Sequence, residues 1–444
     1  MKRLRFALRL VAAIVSKYYL ALTLGLFLGI TGFIVSPRLV KYLPRIRPTH
    51  SIAIIGRYTL TDIPLSIQQK ISTGLTAIDP RGLPAPAIAS SWTVDDEGKT
   101  YTFTLNSRLT WQDGTPIKSH DINYQFRDAE TSYPSDSQVV IKLKDPFAAL
   151  PTITSRPIFK RGLLGNGTYR AATIRKNGSY IDTLLLVPLD ASSRLPKIKY
   201  YFYSTEAQAR TALKLGLVNT IEDIQDISDL NRWPRLRLLS YPRPDRYVAV
   251  FFNTQDPFYS GASGRNLRLA LAYAIDKSRW NKDRAESPIN PNSWAYNADV
   301  KKFDFDLSRA RQLLDNVEKL PDQITLTTVP AYLQTAEAIK SDWEKLGLTV
   351  SISATPEIPP DFSVLLLAQA IPIDPDQYNL WHSTQATNLT RYHNPRNDKL
   401  LEDGRKTLDF KQRQTIYQSF QKFLVEEAPA IFLFHPQSHT LIKN

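Results

Sequence analysis

From Arg246 onward, apolar runs of strand length alternate with runs of helical period, and that alternation limits the fold more than any other feature. RYVAVFFNT reads as a buried strand ending in polar Asn253 and Thr254. In NLRLALAYAIDKSRW, Leu267, Ala270, Leu271, Ala274 and Ile275 share one helical face, with Asn266 as the expected cap. Further helices are expected at 307–316, 333–346 and 411–427, with QITLTTV, LTVSISA and FSVLLLA as strands between them. Strand alternating with helix implies a largely parallel α/β sheet.

The preceding half is different. SIAIIG reads as a short buried strand, and residues 64–73 as a helix before a Pro/Gly-rich loop. In SWTVDDEGKTYTFTLN, a turn over Asp95, Asp96, Glu97 and Gly98 leads into Tyr101, Phe103 and Leu105 alternating with threonines, so a hairpin is expected. Trp111 is expected to end the next strand, Asp113-Gly114 to turn, and Ser119 to cap a helix that puts Ile122 and Phe126 on the core side. VVIKLKDPF is another alternating strand. LLGNGTYR sets glycines at a sharp turn before one more, and without Lys-Ser/Thr or a third glycine it is not a phosphate loop. EAQARTALKLGLVN is an amphipathic helix ended near Gly216.

A chain of 444 residues exceeds one ordinary core, so two or three lobes are expected. Cysteine is absent, which excludes disulfides, thiolate chemistry and a lipid-modified N-terminal cysteine. The net charge of +14 is spread along the chain without a long Lys/Arg run, so nucleic acid is not the expected partner. Tyr18 to Val35 carries no charge and as a helix would span about 27 Å, enough for a bilayer core. Lys2, Arg3, Arg5, Arg9 and Lys17 precede it and Arg38, Lys41, Arg45 and Arg47 follow, a balance slightly favouring a cytoplasmic N-terminus. No small-x-small site follows and Pro37 sits where cleavage would fall, so an uncleaved transmembrane anchor is expected rather than a removed signal peptide.

AIASSWTVDDEGKTYTFTLN, LTWQDGTPIKSHDINYQF, LRLALAYAIDKSRW, FDLSRARQLLDN, AEAIKSDWEKLGLTVSI and NDKLLEDGRKTLDFKQRQTIYQSFQKFLVEEAPAIFLF, in this order, resemble segments of the family 5 extracellular solute-binding proteins, the dipeptide and oligopeptide receptors of ABC transporters. The resemblance implies an α/β, class II periplasmic-binding-protein-like clamshell of three lobes behind the N-terminal helix. Residues 1–48 would form the cytoplasmic stub, anchor and linker; 49–65, 159–246 and 429–444 lobe I; 66–158 a β-rich lobe II; and 247–428 an α/β lobe III. It also implies an oligopeptide or similar extended solute held between lobes I and III and passed to ABC permease subunits. The protein would be a monomer without cofactor, tethered by its helix in the bilayer with its lobes extracytoplasmic.

By position in the family pattern the expected ligand contacts are Asn253, Thr254, Trp294, Tyr378 and Trp381. In IPIDPDQYNLW, aligning Asp374-Pro375 on the family's acidic-Pro pair puts Ile371 where an aspartate would anchor the ligand's amino group. Isoleucine cannot pair a buried ammonium. Either Asp374 or Asp376 takes that role in a shifted register, or recognition rests on something other than a free N-terminus. The Trp and Asp-Gly positions of residues 91–126 are expected to be architectural. No hydrolase motif is present, and His435 and His439 are disfavoured as a metal pair because Pro436 opposes a helix there. A surface scaffold, chaperone or sensor of the same fold, and less so a hydrolase, are the alternative readings.

Overall fold

The computed structural model describes residues 15–21, 23–31, 33, 48–95, 97–224, 227, 236–280 and 282–443. Residues 1–48 form one unit and 49–444 another. In the first, residues 15–21, 23–31 and 33 are helical and exposed, with Thr23 and Thr31 hydroxyls bonded back to the carbonyls of Tyr19 and Phe27. Among the described residues no helix is long and apolar enough to cross a membrane. The basic flanks at 2–9 and 38–47, and Leu22, Gly32 and Ile34–Val35 of the apolar run, lie outside the described residues.

The second unit is built on three main sheets. In chain order its elements are β1 (Thr49–Ile55), α1 (Leu65–Ile71), a two-stranded ribbon of β2 (Thr76–Ile78) and β3 (Pro84–Pro86), β4 (Ala89–Val94), β5 (Thr100–Leu105), β6 (Ala129–Ser135) and β7 (Gln138–Leu143). Then come α2 (Leu150–Ile153), β8 (Tyr169–Asn177), β9 (Tyr180–Pro188), β10 (Lys197–Tyr203), α3 (Glu206–Lys214), β11 (Thr220–Ile224), β12 (Leu236–Pro242) and β13 (Arg246–Phe252). The rest is α4 (Gly261–Ala274), α5 (Leu307–Leu314), β14 (Ile324–Thr328), α6 (Leu333–Glu344), β15 (Val350–Ala354), β16 (Val364–Ala370), α7 (Tyr378–Trp381), α8 (Pro395–Lys406), α9 (Phe410–Glu427), β17 (Ala430–Phe434) and β18 (Gln437–Lys443).

A seven-stranded sheet runs β12-β18-β11-β1-β10-β9-β8, a four-stranded sheet β4-β5-β7-β6, and a five-stranded sheet β15-β14-β16-β13-β17. The five-stranded sheet is mixed rather than largely parallel: β14 is parallel to β15 and β16, but β13 is antiparallel to β16 and β17. The reason is non-local, since β13 brings the chain into this sheet and β17 takes it out. Pairing of β17 with β13 also keeps Ala430–Phe434 in this sheet, and the chain passes to β18 over residues 435–436.

Strand alternation works as expected in the four-stranded sheet: Tyr101, Phe103 and Leu105 are buried against Val139 and Ile141. The helix expected after Ser119 is a single 3₁₀ turn, Ser119–Asp121. Asp121 binds the Trp111 indole N–H (2.9 Å) and the Lys118 amide (2.9 Å), and that local competition ends the turn. Trp111 is buried beside an isolated bridge, Thr110 to Pro116, rather than in a strand. Likewise α4 starts at Gly261 after Ser260, leaving Asn266 inside the helix. The α8 helix was missed, although the Asn394 side chain caps the amides of Arg396 and Asn397.

The five-stranded sheet buries one unusual cation. Lys277 is 3% exposed, near Glu286, Arg284 and Asp304, and burial pulls its pKa from 10.5 down to about 7. An unfolded chain therefore binds the extra proton between those pH values, so stability should rise with pH across that window and carry the full burial cost below about 7. Urea midpoints at pH 7 and 9 should show this rise, and Lys277→Met should remove that part of it. Identical pH profiles would disprove it.

Candidate functional site

Two segments carry the chain between the seven- and five-stranded sheets: residues 243–245 join β12 to β13, and residues 435–436 join β17 to β18. They are tied together, since the Arg243 amide donates to the Pro436 carbonyl (2.8 Å) and His435 Nδ1 pairs with the Arg246 carbonyl (2.8 Å). Arg243 grips Asp245 with two N–H groups (2.9 Å each) and reaches Asp223 (3.1 Å), which also accepts from Ser438 (2.8 Å). Those carboxylates raise the Arg243 pKa, and Arg243 in turn holds Asp245 below its usual range. Burial lowers the His435 pKa and so favours its neutral form at this junction.

Strand direction decides what faces this crossing. In the seven-stranded sheet β1, β10 and β11 are parallel, and β18, antiparallel to β11, starts there; the carboxyl ends of all three parallel strands therefore lie at the crossing. In the five-stranded sheet Arg246 pairs with Ala370, which sets the carboxyl end of β16, and of parallel β14 and β15, at the same place. Both sheets thus present strand carboxyl ends to one junction, the usual position of ligand sites in α/β sheets.

One rim carries Gly56, Arg57, Tyr58, Tyr203 and Asp223. Gly56 has φ +130°, and a Cβ there would lie 2.7 Å from the Tyr58 ring. A cavity of about 650 Å³ opens beside this rim along α3, with the Arg57 guanidinium 4.2 Å from the centre of the Tyr180 ring. Burial, with Asp223 and Asp62 nearby, raises the Tyr58 pKa. The other rim carries Arg246, Tyr332 and Ile371, and burial raises the Tyr332 pKa.

The five expected contact residues are not brought together. Asn253 and Thr254 follow the opposite end of β13, about 20 Å from the crossing. Thr254 bonds the Thr390 carbonyl through both its amide (2.9 Å) and its hydroxyl (3.1 Å). Trp381 is 2% exposed and packs between Phe251 and Phe432. Tyr378 stacks on His382 (4.1 Å) and lies under the Arg405 guanidinium (4.0 Å). Trp294 packs on Phe410 (4.7 Å) and lines a separate cavity of about 310 Å³.

Ile371 is buried, and its amide donates to the Asp245 carbonyl (2.8 Å). Asp374 is chelated by Arg413 (2.5 and 3.0 Å) and Asp376 by Arg405 (2.8 and 3.0 Å). Both carboxylates are already matched by arginines. The lobe bounds implied by the family pattern expect two crossings, at 246/247 and 428/429, but sequence reasoning did not single out segments 243–245 and 435–436 themselves, although prolines at 242, 244 and 436 punctuate them. His435 sits on the Arg246 carbonyl and His439 lies in β18 against Ser240 (2.8 Å); among the described residues no group of three or more His, Cys, Asp or Glu is placed to hold a metal ion.

The model of bacterial extracellular solute-binding proteins, family 5, matches residues 84–138 and 126–389. The chain belongs to that family. It is a solute-binding protein rather than an enzyme. Among curated relatives, the dipeptide-binding protein DppE of Bacillus subtilis is 22% identical over 464 residues, covering 83% of this chain and 82% of that one. The structure of the ABC transporter substrate-binding protein CtaP of Listeria monocytogenes superposes with a TM-score of 0.74 at 21% identity, covering 89% of this chain and 94% of that one. The oligopeptide-binding protein AppA of Bacillus subtilis, in complex with a nonapeptide, gives 0.67 at 18% identity with the same coverage. The fold is therefore α/β and periplasmic-binding-protein-like.

Proposed function

We propose that this solute-binding protein captures an oligopeptide or similar extended solute at the double crossing and delivers it to the permease subunits of an ABC transporter. The observation carrying this reading is the meeting of strand carboxyl ends from two sheets at a junction of only two chain segments. Lobe I is then the seven-stranded sheet, lobe II the four-stranded sheet and lobe III the five-stranded sheet. Two strap segments leave the lobes free to rotate about residues 243–245 and 435–436, so closure buries the guest. Unpaired backbone groups at strand ends suit an extended peptide backbone, with water filling what its side chains leave.

Of the expected contacts, Trp294 and Tyr378 keep partly open rings and remain the candidates for ligand. Asn253, Thr254 and Trp381 are more economically read as holding lobe III together. The uncharged run Tyr18–Val35 supports a single-pass tether with a cytoplasmic N-terminus, which would keep a monomeric receptor near its permease without a lipidated cysteine.

Titrating the fluorescence of the seven tryptophans with peptide mixtures should give a saturable change, and native mass spectrometry should show co-purified solute. No change with any mixture and an empty protein by mass would overturn this function.

A further inference from the structure

The cavity of about 310 Å³ lies away from the crossing, and its walls come from two sheets. Trp92 and Tyr101 belong to β4 and β5, whereas Trp294 and Phe410 belong to the five-stranded half. Its volume falls within the roughly 300–1,000 Å³ of small-molecule sites. The halves are latched beside it: the Ala148 amide donates to the Arg405 carbonyl (2.8 Å), and the Thr152 hydroxyl to Asp374 (3.3 Å).

The cavity is joined to the crossing by Ile371–Asp374. Three residues span at most about 10 Å. Along that span Ile373 is 49% exposed, leaving an apolar surface between rim and cavity. The charges at the cavity wall, Arg413 and Asp374, neutralise each other, and the Arg413 guanidinium also lies 5.5 Å from the Trp294 ring centre. Because each already satisfies the other, the wall offers an entering charged group no free counter-charge. A neutral ring meets four aromatic walls instead.

We infer that this cavity is a specificity pocket for a neutral aromatic or bulky apolar side chain of the bound solute. The inference rests on the peptide-receptor reading above. It places side-chain selection about 10 Å from the backbone-binding rims, within reach of a ligand extending along Ile371–Asp374.

The test uses tetra-alanine and four variants with one phenylalanine at each position in turn, measured by calorimetry on the full chain. One phenylalanine position should bind about tenfold more tightly than tetra-alanine, the gain of burying an aromatic side chain. Ala148→Leu, which fills the cavity, should abolish that preference while tetra-alanine still binds. Phe410→Ala, at a residue 44% exposed and so tolerant of change, should reduce it several-fold. A preference unchanged in both variants, or absent from the unaltered protein while tetra-alanine binds, would overturn the pocket. If no peptide of the set binds at all, the peptide-receptor reading falls and the pocket with it.

Discussion

Asp374→Asn should destabilise residues 49–444 by about 3–5 kcal/mol, the cost of leaving one member of a buried ion pair alone. Asp374 and Arg413 side chains are only 9% and 7% exposed, and their two hydrogen bonds are 2.5 and 3.0 Å. Burial opposes the charge on Arg413, but Asp374 outweighs it and raises the guanidinium pKa above its usual value. With asparagine at 374, Arg413 keeps one amide oxygen there beside the Gly404 carbonyl (2.8 Å) and the Tyr417 hydroxyl (3.4 Å). None of these carries a charge. The double substitution Asp374→Leu with Arg413→Met should recover most of the loss, because it removes the desolvated charges together. Urea midpoints of the three proteins decide the matter: a loss below about 1 kcal/mol in the single variant would mean that the pair is not closed in solution.

Gly165→Ala should cost about 3 kcal/mol or more, the upper end of overpacking. The turn containing Gly165, Asn166 and Gly167 returns the chain to the seven-stranded sheet by lying on the end of α1. A Cβ on Gly165 would overlap the Ile71 carbonyl oxygen and sit 2.6 Å from Ser72 Cβ; one on Gly167 would sit 2.6 Å from the Lys70 carbonyl. Those are backbone neighbours fixed from both sides, since Gly167 donates to Ile71 (2.8 Å) and Gln112 donates to Ile71 (3.0 Å) and Tyr169 (2.7 Å). Gly178, in the β8–β9 hairpin, is the control: its φ is +62° but nothing lies within 4 Å of an added Cβ. Gly178→Ala should cost only about 1–2 kcal/mol, the price of a left-handed residue. Thermal or urea denaturation of the two variants should rank them in that order, and equal losses would show that α1 yields.

The glycine turn shows what a sequence can and cannot say. GNGTY is legible as a sharp turn, and the lack of Lys-Ser/Thr rules out a phosphate loop. That the glycines are needed for an approach to Ile71, ninety-odd residues earlier in the chain, is not written locally. Helices were found where an apolar face repeats, as in α4 and α9, and missed where it is polar, as in α8. Only the Asn394-Pro395 start marked that helix.

The candidate site was less visible. Ile371 could be singled out by alignment, but the pairing of Asp374 with Arg413 and Asp376 with Arg405 joins residues about thirty to forty apart. Asp223, Arg243 and Ser438 make one cluster from three distant stretches, none of which has a motif. Trp294 was chosen as a ligand contact, and the structure puts it on the wall of a cavity shared with β4 and β5.

By itself, then, the sequence determined the alternating hairpin of β4 and β5 and most of the helices after Arg246, and its ordered segments carried the resemblance to the family. Those follow from short-range periodicity, turn chemistry and ordered motifs. Strand direction in the five-stranded sheet and the choice of which carboxylates are neutralised were decided only in three dimensions. Each depends on which distant backbone or charge a residue meets, as β13 meets β16 and β17 and Asp374 meets Arg413.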